Sequence, residues 1–194
     1  MNKTTKAFAL LFTAGLVLAG CGQKQESTTT QAQTTAAPTT AAPTTATPTT
    51  ATPTTVAQAK TEMPAGAQKT VFEASAKGGT ETMTVYYKDD VLLKQETVEV
   101  YTLSQLEVEN ALEKLQNNTA RTKETLKDFI GKGFEYNTEH KGDIFTITYS
   151  FDYTKIDLDK LKEKIPGLNL RDDKTLSYSE FKEALLKGGY KEKQ

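Results

Sequence analysis

Residues 69–194 predict an α+β domain: an antiparallel β-sheet of about five strands with helices packed on one face. Three observations predict it. Residues 144–153 alternate without a break, with Phe145, Ile147, Tyr149, Phe151 and Tyr153 pointing one way and Ile144, Thr146, Thr148, Ser150 and Asp152 the other. Such a strand buries one aromatic face and wets the other. Lys77-Gly78-Gly79 and Gly142-Asp143 sit at hairpin spacing between strand patterns. Ser104-Gln105-Leu106-Glu107 and Ser177-Tyr178-Ser179-Glu180 are capping boxes ahead of amphipathic runs. Strands, then helices, then strands and helices again, joined by short turns, make an α+β arrangement.

The chain begins with a different kind of segment. Lys3 and Lys6 lead thirteen mostly apolar residues, Ala7 to Ala19, and the run closes on Leu18-Ala19-Gly20-Cys21. A charged lead, a short apolar stretch and small residues form a secretory signal, and the run is too short for a membrane span, which needs ~20 apolar residues. Residues 1–20 are therefore read as a signal peptide, cut between Gly20 and Cys21. Leu-Ala-Gly-Cys resembles the lipobox of bacterial lipoproteins. That resemblance implies a diacylglyceryl group on the thiol of Cys21, which becomes the new N-terminus. The competing reading, a buried inert thiol on a core helix, does not suit flanks built for export.

Residues 21–68 are the lipidated cysteine and a linker. Residues 22–68 hold sixteen Thr and five Pro, and Ala36-Ala37-Pro38-Thr39-Thr40 recurs at 41–45, then as Ala-Thr-Pro-Thr-Thr at 46–50 and 51–55. A five-residue period with one Pro places no apolar stripe on any helix or strand, and its burial cannot offset chain entropy. Extended at ~3.1 Å per residue the tract approaches ~145 Å; as a coil it spans roughly 40 Å. Its Thr/Pro/Ala composition also suits O-glycosylation.

In the domain itself, Thr70–Ala76 reads as a strand, and Thr80–Lys88 follows across the Gly turn with Met83, Val85 and Tyr87 on one face and Thr82, Thr84 and Tyr86 on the other. Asp89-Asp90 makes the next turn. Val91–Thr102 is a third strand whose apolar parity changes between Val91/Leu93 and Val98/Val100, as a bulge would cause. After the Ser104 box, Val108, Ala111, Leu112 and Leu115 fall at helical spacing, which Asn117-Asn118 is expected to end or loosen. Leu126, Phe129 and Ile130 resume it until Gly131 and Gly133. Phe134–Lys141 and Ile144–Tyr153 form the second hairpin. Leu158, Leu161 and Ile165 mark a short helix stopped by Pro166-Gly167; Phe181, Ala184 and Leu185 mark the last, stopped by Gly188-Gly189.

Asp152-Tyr153-Thr154-Lys155-Ile156-Asp157 after an aromatic strand, Leu185-Leu186-Lys187-Gly188-Gly189-Tyr190-Lys191 at the C-terminus and Leu92-Leu93-Lys94-Gln95 after a Tyr-rich strand together resemble the YehR-like bacterial lipoproteins over roughly residues 70–193. The resemblance implies a small α+β lipoprotein and carries over no catalytic residue. The long Thr/Pro tract is additional to that family's usual short linker and points to a thick-walled, Gram-positive type envelope.

The inventory excludes much chemistry. One His and one Cys leave no multi-ligand His or thiolate metal site and no free thiol nucleophile. From residue 69 onward, 20 Lys+Arg stand against 23 Asp+Glu with no block of either sign, so nothing offers the basic face a nucleic acid needs. Asn169–Glu180 is a near miss for a calcium loop, with Arg171 and Lys174 where an oxygen ligand and a glycine belong. His140, on the strand face of Phe134, Tyr136 and Thr138, would need a carboxylate partner to titrate usefully; Glu139 and Asp143 are the acids near it. The eight tyrosines are the open signal. Tyr86, Tyr136 and His140 are the candidate binding surface, with Tyr86 expected on the wet face beside Thr82 and Thr84.

The expectation is a non-enzymatic, lipid-anchored binding or interaction module on the extracytoplasmic side of the cell membrane. It has no catalytic residue, metal or cofactor, and its partner is a cell-envelope protein or glycan. The alternative is a small cell-envelope hydrolase working with carboxylates and tyrosines. A deep pocket with two or more converging carboxylates would favour the enzyme.

Overall fold

The computed structural model describes residues 63–193. The signal segment 1–20, the positions Gly20 and Cys21, and the Thr/Pro tract to residue 62 lie outside the described residues. The elements run β1 (Gln68–Ala76), β2 (Gly79–Lys88), β3 (Val91–Thr102), α1 (Ala111–Thr125), β4 (Phe134–Lys141), β5 (Ile144–Asp152), α2 (Leu158–Lys164), α3 (Tyr178–Lys187) and β6 (Lys191–Lys193). The strands form one sheet in the order β4-β5-β3-β2-β1-β6, antiparallel throughout. The α+β class and the single sheet are as the sequence predicts, with one strand more than expected. Lys191-Glu192-Lys193 carries no alternation to read. It pairs with β1 because α3 returns the chain to that edge, and three charged residues blunt the edge they create.

The aromatic face of β5 is the floor of the core. Phe145, Ile147, Tyr149 and Phe151 are all buried, as are Phe72 of β1 and Met83 and Val85 of β2 on the same side. Leu115 of α1, Leu161 of α2, and Phe181 and Leu185 of α3 close over them. Full burial of each such side chain stabilises by ~1.5–3 kcal/mol. α3 is further set on the sheet by Tyr178, whose ring stacks on Tyr87 at 3.5 Å and whose hydroxyl donates to Thr70 at 2.9 Å.

The bulge in β3 is present, and it inverts the strand. Pairing with β2 shifts between Tyr86↔Lys94 and Tyr87↔Leu92, which leaves Leu93 as the extra residue. Leu92 therefore faces the core, but beyond the bulge the buried residues are Gln95, Thr97, Glu99 and Tyr101, while Val98 and Val100 sit half-buried on the opposite face. A one-residue slip moves every later side chain to the other side. This is the structural event that makes the candidate site.

Two helix signals resolve differently. Ser177 caps α3 as expected, accepting from the Glu180 N–H at 3.2 Å. Ser104 caps nothing: its N–H donates to Asp143 Oδ1 at 2.8 Å and its hydroxyl bonds the same carboxylate. The β4–β5 turn has captured it. Residues 103–105 form a single 3-10 turn, and α1 starts at Ala111 behind Asn110, which holds a left-handed φ of 54°. Asn117-Asn118 does not break α1, which runs on to Thr125.

Candidate functional site

β3 runs between β2 and β5, so its inward residues lie at the centre of the buried face. Glu99 is flanked by Glu81 of β2 on one side and Ile147 of β5 on the other. Both glutamates are buried, at 3% and 4% exposure. Around them the core is hydroxyl-rich. Tyr101 donates to Glu99 Oε2 at 2.7 Å, and Tyr149 bonds the same carboxylate. Further along β3, Tyr153 donates to Gln95 Oε1 at 2.9 Å, and Gln95 Nε2 donates to Thr97 Oγ1 at 3.1 Å. A polar row thus crosses the core, with donors supplied by tyrosines from β3 and β5 and its end. Such rows hold only when their members are paired.

The electrostatics separate the two acids. Burial, then the charge of Glu99, push the Glu81 carboxyl up to about 8, with a hydrogen bond from Tyr190 opposing. Burial also raises Glu99, against the hydrogen bonds of Tyr101 and Tyr149. Two tyrosine donors favour the ionised form of Glu99, and Glu81 Oε1 has no partner. Burial outweighs these bonds, so both carboxyls are held above the usual range, and facing each other they disfavour ionising together.

Glu99 opens onto a cavity of about 240 Å³ under α1. Its walls are Leu126, Phe134, Tyr136, Tyr149, Phe151 and Ile165, with Thr122 and Thr125 of α1, Pro166, and the exposed Arg121 of α1 and Lys164 of α2 in the rest of the lining. The rings pack on one another: Phe134 on Phe151 at 4.6 Å, Tyr136 parallel to Tyr149 at 6.0 Å, and Tyr149 edge-on to Phe151 at 6.1 Å. Glu81 does not line this space. The arrangement is one buried carboxyl at the base of an aromatic chamber with two cations in its lining, which suits binding and offers a single acid for chemistry.

The three surface residues singled out in the sequence do not converge. Tyr136 is in the chamber wall, and Lys123 Nζ lies 5.7 Å from its ring centroid. His140 is exposed four residues further along β4, and its Nε2 contacts the Gly142 carbonyl at 2.8 Å rather than an acid. Tyr86 is a correction. It does occupy the face away from the helices, yet it is buried, because its hydroxyl donates to Glu96 at 3.0 Å and Lys94 lies 5.7 Å over its ring. The charged β3 residues beside it fold onto the ring. The calcium-loop segment is likewise spent: Arg171 pairs with Asp90, Lys174 pairs with Asp159, and no cluster of three or more metal-ligating side chains occurs among the described residues.

A family model described as "Protein of unknown function (DUF1307)" matches residues 68–191, from the start of β1 to the first residue of β6. The chain belongs to the DUF1307 family. Among relatives, it is 30% identical over 129 residues to the "Uncharacterized lipoprotein Lin0239" of Listeria innocua, spanning 64% of this chain and 80% of that protein. Among solved structures, it is similar to the NMR structure of the E. coli YehR protein (TM-score 0.48, 21% identity, 65% of this chain and 90% of that one). It is also similar to an NMR structure from Streptococcus pneumoniae TIGR4 (TM-score 0.42, 19% identity, 90% and 100%). The family resemblance read from residues 70–193 agrees with the matched span.

What sequence reasoning missed in this DUF1307 chain is the glutamate pair. In Gln95-Glu96-Thr97-Val98-Glu99-Val100, parity alone buries the valines and exposes the acids. The signal that finds them is the cross-strand register Glu81↔Glu99, which exists only after the strands are paired.

Proposed function

We propose that the protein is a non-enzymatic binding module, held on the extracytoplasmic face of the membrane by a diacylglyceryl group on Cys21, with its ligand site in the cavity beneath α1. The observation that carries the binding reading is Glu99: a carboxylate, 3% exposed, set in the wall of an otherwise apolar and aromatic chamber. A fold does not keep a buried acid next to open space for stability's sake, since replacing buried ionisable groups by apolar ones is often neutral or stabilising.

The anchor reading is supported by Leu18-Ala19-Gly20-Cys21 behind a short apolar run and by the Listeria relative, which is named a lipoprotein. Two acyl chains hold a protein stably to a bilayer where one does not. The Thr/Pro tract then lifts the domain toward the envelope, and the Gram-positive type setting follows from its length. The enzyme reading draws on two facing buried glutamates with raised proton affinities, a feature paired acids use in catalysis. It is disfavoured because Glu81 lies behind Glu99 and outside the cavity lining.

Ligand-observed NMR on the full chain in detergent tests this, with a library of small polar and amphiphilic fragments. Hits are expected that are recovered unchanged and are lost in Thr122→Phe, which fills the chamber. Hits unaffected by Thr122→Phe would move the site elsewhere; conversion of a fragment to product would favour the hydrolase.

A further inference from the structure

The cavity's charges are arranged by depth. Glu99 is buried, whereas Arg121 and Lys164 are exposed. Between these levels the wall is Phe134, Tyr136, Tyr149, Phe151 and aliphatic side chains. A purely anionic ligand would meet the Glu99 carboxyl on going deep, and a purely cationic one would meet Arg121 and Lys164 on entering. One chemistry satisfies both ends.

Resting on the cavity being the ligand site, we propose that the ligand is a small zwitterion, an ω-amino acid or short peptide. Its ammonium would seat against Glu99 and its carboxylate would face Arg121 and Lys164. Three features support the deep ammonium. A carboxylate offers about four acceptor positions, and Tyr101 and Tyr149 account for two, so Glu99 can still accept. The aromatic walls attract a cation through their ring faces, an effect that strengthens as water is excluded. Lys123 already stands 5.7 Å from the Tyr136 ring centroid, so that ring takes a cation in this very setting. An ammonium seated beside Glu99 would favour its ionised form against the burial that works to protonate it. At about 240 Å³ the space lies below the usual ~300–1,000 Å³ of ligand pockets, which suits a molecule of amino-acid or dipeptide size rather than a polymer.

The test is calorimetry on the full chain in detergent, with empty micelles as blank. Three matched probes are used: 6-aminohexanoate (both charges), hexylamine (cation alone) and hexanoate (anion alone). 6-aminohexanoate is expected to bind most tightly, hexylamine more weakly and hexanoate weakest. Glu99→Gln should weaken 6-aminohexanoate at least tenfold, and Arg121→Ala with Lys164→Ala several-fold while leaving hexylamine unharmed. Tyr136→Leu, which keeps both buried glutamates, should lower hexylamine binding and spare hexanoate. Hexanoate binding as tightly as 6-aminohexanoate, or Glu99→Gln leaving affinity unchanged, overturns the inference. If no probe binds while another fragment occupies the cavity and is blocked by Thr122→Phe, the zwitterion assignment fails and the binding module stands.

Discussion

Glu81 and Glu99 face each other across the β2–β3 ladder on the buried side of the sheet, two acids in register and both raised by burial. Their opposition is a cost that the fold carries, and it sets how stability responds to pH.

The carboxyl of Glu81 is raised from an ordinary 4.5 to about 8. A group raised on folding favours the folded state fully below its unfolded value and loses that contribution as pH climbs through the folded value. Stability should therefore fall between about pH 4.5 and 8, with Glu81 contributing at most about 1.4 kcal/mol per pH unit and Glu99, also raised by burial, acting in the same sense. Urea denaturation at pH 5, 6.5 and 8 is expected to show the decline, and Glu81→Gln should lessen it and raise stability at pH 8. The same slope in the variant would clear Glu81 of the effect. Acids held low, such as Asp90, act in the opposite sense, but only as pH drops below their usual range.

Asp90 joins a turn to a distant helix. It sits at φ 63°, accepts from the Ser179 N–H at 2.7 Å and from the hydroxyls of Ser177 and Ser179 at 3.1 Å, and pairs with Arg171. Desolvation works to raise its carboxyl, yet these hydrogen bonds and Arg171 hold it below the usual range. Asp90→Ala should lose about 1–2 kcal/mol, the scale of a lost helix cap, read as a lower thermal midpoint. Asp90→Asn should lose less, since Asn tolerates left-handed backbone and keeps an acceptor. Equal losses would mean that the charge, rather than geometry, matters.

Gly133 precedes β4 at φ 100°, and an added Cβ would lie 2.7 Å from Ile156 Cγ1 and 2.8 Å from the Asp152 carbonyl oxygen. Both conformation and space exclude a side chain. Gly133→Ala should cost more than about 1 kcal/mol. Gly142→Ala, also at positive φ but with open space around it, should cost less. Denaturant midpoints for the two variants check the order.

Cys21→Ser removes the proposed acylation site. The variant is expected in the soluble fraction, or as uncut precursor, when cells of the native host type are fractionated. Variant protein at mature mass still in the membrane fraction would end the anchor reading.

Much of the fold was legible because its signals are local. The alternation of residues 144–153, the hairpin glycines and the Ser177 box each act within a few residues, and each formed as expected. The failures came where a distant residue competed: Asp143 took Ser104 from its helix, and β1 recruited the charged tail as a sixth strand. Of the candidate site, Tyr136 was legible as an open aromatic signal. Glu99 was not, since burying an acid in place of a valine contradicts any pattern of hydrophobicity.

By itself, the sequence determined the α+β class and the order of strands and helices from β1 to α3, since periodicity and turn chemistry are properties of neighbours along the chain. Only the tertiary structure decided which side of β3 is buried. Strand parity repeats every two residues, so the one extra residue at Leu93 reverses it, and that choice is made by pairing with β2 and β5 rather than by the residues of β3.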